Sequence, residues 1–228
     1  MLDKKTSSYS LYNKKSKEKT KINLIDEIHP ALPNKRYSII YADPPWHYNG
    51  KMQFDKSGKI AHNENWGKEV FISAASFKYP TLKTAELKKL KISSIADDDS
   101  LLFMWTSNPH LEQAIDLGKA WGFKYKTVAF VWDKMIHNPG QYTLSYCELC
   151  LLFKRGRIPK PRGARNIKQL VHSRRTQHSE KPFVIAENIE EMFPTQSKIE
   201  LFARGQREGW DAWGLNDSGN FQRVLKWK

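Results

Sequence analysis

Several familiar signatures are missing from this chain. Its twelve glycines never fall into G-x-G-x-x-G or G-x-x-x-x-G-K-[ST] order, so the sequence marks of a dinucleotide-binding turn and of a P-loop are absent. Cysteine is scarce, with only Cys147 and Cys150, which excludes a secreted disulfide framework and fits a reducing compartment. Their C-x-x-C spacing invites a redox or zinc reading. Ser145 to Phe153 reads as an apolar strand, however, where residues three apart point to opposite faces, and no second pair completes a zinc site. No metal is assigned. No apolar run is long enough to cross a bilayer, and the N-terminal lysines lack the apolar core of a signal peptide, so an intracellular protein is expected. Acidic residues are also in short supply, 24 against 38 Lys and Arg, which leaves a net charge of +14. That excess favours a polyanionic partner, and eight Trp, nine Tyr and eleven Phe supply rings on which bases can stack. A basic soluble protein without such a partner has the same composition.

At 228 residues the chain accommodates one α/β domain with extended loops. Residues 1–22, with seven lysines among polar residues, cannot pack a core and read as a mobile basic arm; residues 23–228 form the single domain. Apolar runs predict strands over 37–42, 101–105, 127–132, 145–153 and 198–202. Helical spacing predicts a helix opening at Thr84 with a capping threonine, one over 109–121 closed by Gly122, and one over 181–193 closed by Pro194. The alternation implies a mainly parallel sheet with helices on both faces, with antiparallel pairing expected among the last strands. Two segments fit neither pattern: the polar, aromatic stretch 47–80, and the densest basic stretch, 154–175. Long loops inside a compact domain are usually functional or disordered. Arg155, Arg157, Arg162 and Arg165 suit phosphate, which a guanidinium grips with two parallel hydrogen bonds; a solvated basic loop is the alternative.

The sharpest local feature is Asp43-Pro44-Pro45-Trp46, directly after the apolar run 37–42. Two prolines end strand pairing and hold the preceding residue extended, which presents the Asp43 carboxylate at the carboxyl end of a strand. Ligands of open α/β sheets collect at such ends. On spacing alone, a Pro-Pro turn with a surface acid fits equally well.

With its neighbours the tetrapeptide, Tyr41-Ala42-Asp43-Pro44-Pro45-Trp46, closely resembles the catalytic motif of the adenine-N6 methyltransferases related to the catalytic subunit of the mRNA adenosine methyltransferase, the MT-A type. The likeness continues in family order through Leu102-Phe103-Met104-Trp105-Thr106, Trp121-Gly122-Phe123, Val131-Trp132, Glu148-Leu149-Cys150-Leu151 and Ser179-Glu180-Lys181-Pro182. Lys198 to Arg204 and Gly209 to Gly214 complete it, so that it covers about residues 37 to 216. It implies a Rossmann-like, S-adenosylmethionine-dependent methyltransferase of permuted, beta-class order, with the catalytic strand first and the cofactor-binding strand last.

The resemblance implies that Asp43 and the Pro44 carbonyl accept the N–H groups of an exocyclic adenine amine, with Pro45 shaping the turn and Trp46 stacking on the base. It further implies that Asp43, Lys181, Arg204, Gln206 and Asn216 hold the cofactor. His47, Tyr48, Glu148 and Lys181 would lie near the target base, with the 154–175 arginines on the polymer. The chain departs from the family pattern at Gln206-Arg207, where relatives carry His-Asn, and at Leu215-Asn216. The compact chain is similar to short bacterial and phage members linked to DNA, which implies DNA over RNA as substrate and the cytoplasm or nucleoid of a bacterium or phage-infected cell as its place. A homodimer, or a heterodimer with a related subunit, is what the resemblance permits. RNA adenosine methylation, a catalytically silent nucleic-acid-binding subunit and a small-molecule methyltransferase are the competing readings.

Overall fold

The computed structural model describes residues 30–47, 52–54, 70–72, 81–138, 142–174 and 180–214. The arm expected over 1–22, Tyr48, Asn216 and most of the 47–80 loop lie outside those residues. Along the chain come β1 (Tyr37–Ala42), β2 (Met52–Phe54), β3 (Val70–Ile72), helix α1 (Thr84–Leu87), β4 (Ala96–Thr106), α2 (Leu111–Ala120), β5 (Lys124–Asn138), β6 (Ser145–Arg155), β7 (Leu170–His172), α3 (Phe183–Met192), β8 (Lys198–Leu201) and β9 (Asp211–Trp213).

Seven strands form one sheet in the order β7-β5-β6-β4-β1-β8-β9, and β2 pairs separately with β3. Strand β1 is central because it is apolar on both faces, the mark of a strand covered on both sides. Ile40 and Ala42 face Leu87 of α1, Ala114 and Leu117 of α2 and Trp121 just past its end. Ile39 and Tyr41 face Ile185, Ala186 and Ile189 of α3. Helix α2 lies close on the sheet because Gly118 has no Cβ; one placed there would overlap the Phe153 ring. Gly122, at φ +88°, ends α2, its N–H bonded to the Lys119 carbonyl and that of Phe123 to Gly118.

The strand directions correct one expectation. β8 and β9, the last strands, run parallel to β1, and the reversal falls at β6, antiparallel to both β4 and β5. A short link joins β5 to β6, and only antiparallel neighbours accept a hairpin connection; β8 is reached by a crossover through α3. Thr84 is likewise not a cap. Lys83 occupies that position without a side-chain bond, and α1 is a single turn.

Candidate active site

The site lies where β1, β4, β8 and β9 end and β6 begins. The Asp43 N–H bonds the Leu201 carbonyl at 3.4 Å, tying the end of β1 to the end of β8. Beyond Asp43 the chain turns sharply: the Trp46 N–H donates to the Pro44 carbonyl at 2.8 Å, while the Leu82 N–H donates to Pro45. A three-residue turn closed this way holds Asp43 and Pro44 in one fixed orientation. The Pro44 oxygen keeps its second lone pair for another donor.

Lys181, just ahead of α3, donates to Asp43 Oδ2 at 2.8 Å and lies 3.5 Å from Glu148 Oε2. Its ammonium also sits 5.5 Å from the centroid of the Trp105 ring, whose indole N–H donates to the Tyr41 hydroxyl at 2.6 Å. The segments carrying Asp43, Glu148 and Lys181 are far apart in sequence, and the fold brings these three together. Burial opposes ionisation of Glu148, but the charges of Lys181 and Lys134 outweigh it and hold the carboxyl below its ordinary range. Burial pushes the Cys150 thiol well up, with the Asp43 charge adding to it.

Trp46 is placed differently from the expectation. Its ring is only 5% exposed, stacked on His110 at 5.5 Å and 20°, with its indole N–H on the Trp105 carbonyl. With so little surface open, the ring is a wall of the site in this arrangement and not a platform for a base. His110 in turn bonds Ser107 Oγ through Nδ1 and the His47 carbonyl through Nε2. Burial lowers its pKa, so the ring is neutral and ties the Pro-Pro segment to the β4–α2 junction. His110 is not among the site residues that the resemblance implies. His47 Nδ1 meets Thr81 Oγ1 at 3.0 Å, which anchors the exit of the motif.

Just beyond β8, Phe202 adopts φ +61°, a left-handed conformation that costs a bulky residue energy and clusters at functional sites. Gly214 passes so close to Ala203 that a Cβ would overlap its backbone. Arg207 is packed over the Phe183 ring at 4.3 Å and lies 3.7 Å from Glu200, while its Nε and Nη1 are buried without a partner. Glu200 is pushed up to about 7, mainly by burial, with Arg207 opposing and Asp43 adding to the shift. Orphaned donors beside an acid poised to accept or donate fit a ligand rich in hydroxyl and amino groups. The departure at Arg207 therefore carries two of these orphaned donors. Arg204 and Gln206 are exposed on the turn beyond β8.

The arginines expected on the polymer are not brought to this site. Because β6 runs antiparallel, it carries Arg155 seven residues from Glu148, ~23 Å at strand rise, to the opposite end of the sheet. There Arg155 donates to the Ser93 carbonyl and lies 3.8 Å from Asp98, and the Arg157 N–H bonds Asp99. Arg162 packs over the Phe193 ring past the C-terminal end of α3, where Gly163 and Ala164 bond the last carbonyls of that helix; Arg165 is exposed. Only 170–174 of this segment return toward the site end, as β7 against β5. Lys134, which no sequence motif marks, is buried beside Glu148. The signal was a lysine two residues beyond a buried tryptophan on the same strand face.

No helix among the described residues is long and apolar enough to cross a membrane. The MT-A70 family model matches residues 37–216. The chain is also similar to the Type II methyltransferase M.MunI of Mycoplasma sp, with 57% identity over 219 residues, which covers 96% of this chain and 94% of that protein. A turn that fixes an acid at the end of a central strand, an ion pair closing over it and a family match spanning both place the chain in the MT-A70 family of methyltransferases.

Proposed function

We propose that the chain transfers the methyl group of S-adenosylmethionine to the N6 amine of adenine in DNA. The observation that carries this reading is the Asp43–Pro44 turn, which sets a carboxylate and a carbonyl side by side at the ligand-binding end of the sheet. The lone pair of an exocyclic adenine amine is delocalised into the ring. Two acceptors holding its N–H groups favour a tetrahedral nitrogen and stabilise the positive charge that grows on it during attack. Asp43 Oδ1 has no hydrogen-bond partner among the described residues, because Lys181 occupies Oδ2. Lys181 orients the carboxylate through Oδ2, and Glu148 holds Lys181 from its other side. Arg204, Arg207, Glu200 and, outside the described residues, Asn216 are the groups we assign to the cofactor, whose sulfonium supplies an electrophilic methyl. Asp43 borders both ligands. A base inside a duplex must leave the stack to reach so enclosed a site.

DNA is favoured over RNA by the likeness to a Type II methyltransferase, together with the net charge of +14. The test incubates pure protein and labelled cofactor with matched DNA and RNA oligonucleotides. Label in DNA alone is the expected result. Inactivity on every polymer, with cofactor binding demonstrated, would leave the silent-subunit reading in its place.

A further inference from the structure

We infer that Lys134 is a positioning residue of this site, acting through Glu148 on Lys181 and so on Asp43. The inference rests on the methyl-transfer reading above. Its basis is a line of alternating charges: Lys134 Nζ lies 3.5 Å from Glu148 Oε1, Lys181 Nζ 3.5 Å from Glu148 Oε2, and the same Nζ 2.8 Å from Asp43 Oδ2. Two ammonium groups and two carboxylates make the line neutral. Lys134 is its innermost member, 2% exposed, with no solvent to replace the carboxylate.

The backbone bends directly beside it. Directly after Lys134, Met135 takes φ +55°, its N–H bonded to Asp133 Oδ1, and the pairing of β5 with β6 slips between Asp133 and Asn138. A left-handed methionine is unfavourable and persists only where surrounding contacts impose it. A lysine pointing inward at this price in strain and desolvation contributes little as mere packing.

Chemically, one lysine must serve two acids. Without Lys134 the line carries a net negative charge, Glu148 competes harder for Lys181, and Asp43 Oδ2 loses a partner that sets the direction of Oδ1. The charged and titratable groups facing Glu148 are Lys134 from β5, Lys181 from the segment before α3, Asp43 beyond it at the end of β1 and the buried Cys150 thiol on its own strand. Removing one of the two cations raises the pKa of the carboxyl.

The experiment compares wild type, Lys134→Met and Lys134→Arg. In Lys134→Met, kcat is expected to fall about 10- to 100-fold with KM for DNA nearly unchanged, the split of a misplaced reacting group. The acid limb of the kcat/KM profile is expected to move up by about one pH unit, and Lys134→Arg to restore most of both. Carbon-13 titration of the Glu148 carboxyl in the unliganded protein, assigned against Glu148→Gln, is expected to show the same upward shift without any turnover. Unchanged kcat and an unmoved Glu148 titration in a folded Lys134→Met protein would overturn the inference. If that variant does not fold, Lys134→Met/Glu148→Gln removes both charges together. Activity equal to that of Glu148→Gln alone then supports action through Glu148, and a further loss beyond about tenfold overturns it. Wild-type inactivity would instead overturn the methyl-transfer reading, with the titration still reporting on the ion line.

Discussion

Lys181 and Asp43, 138 positions apart in sequence, meet at 2.8 Å over the end of the central strand. The pair occupies one carboxylate oxygen, and the proposed reaction assigns the other to a substrate N–H. Asp43→Ala is expected to lower methyl transfer by about 1000-fold or more while the melting temperature moves by only a few degrees, since an acceptor matched to growing charge acts mainly in the transition state. Near-normal turnover in that variant would remove Asp43 from the mechanism.

Glu200 makes stability depend on pH. Its carboxyl is pushed up to about 7 in the fold, so only below about 4 do both folded and unfolded chains carry it protonated. As pH rises toward 7 the unfolded chain ionises first, and the folded state loses stability on the order of 3 kcal/mol by pH 8. Glu200→Gln is expected to flatten the melting-temperature profile between pH 5 and 8 and to raise its alkaline end. Identical profiles for the two proteins would contradict this.

His110 fastens the motif through two hydrogen bonds and a stacked ring. His110→Phe keeps the ring and loses both bonds, which should destabilise the protein by about 1–2 kcal/mol. The same change is expected to lower kcat about tenfold through displacement of the Asp43–Pro44 turn. Unaltered kcat would show that Thr81 and Leu82 hold the turn unaided.

Arg155 and Arg157 were expected on phosphate and stand at the far end of the sheet. Replacing both by Gln should leave nucleic-acid affinity and its salt slope unchanged, because no phosphate contact is lost. A slope reduced by about two would place the polymer on that face.

These outcomes mirror what was readable in the sequence. The place of Asp43 at the strand end was legible because prolines and an apolar run act locally, and family motifs mark Glu148 and Lys181, which the fold brings beside it. The direction of β6 was not, since it depends on pairing with β4 and β5, and the misplacement of Arg155 followed from that one unknown. Trp46 was misread for a related reason: an aromatic ring after a turn looks the same in sequence whether it faces a ligand or, as here, His110. Strand period places Lys134 on the face of Trp132, but its partner Glu148 lies on another strand and is set only by the pairing of β5 with β6.

The most direct test of the account is nucleoside mass spectrometry of DNA incubated with the protein and S-adenosylmethionine. N6-methyl-2′-deoxyadenosine that appears with wild type and vanishes with Asp43→Ala is the expected result. Methylcytosine in its place, or methyl label confined to RNA, would contradict the proposed reaction.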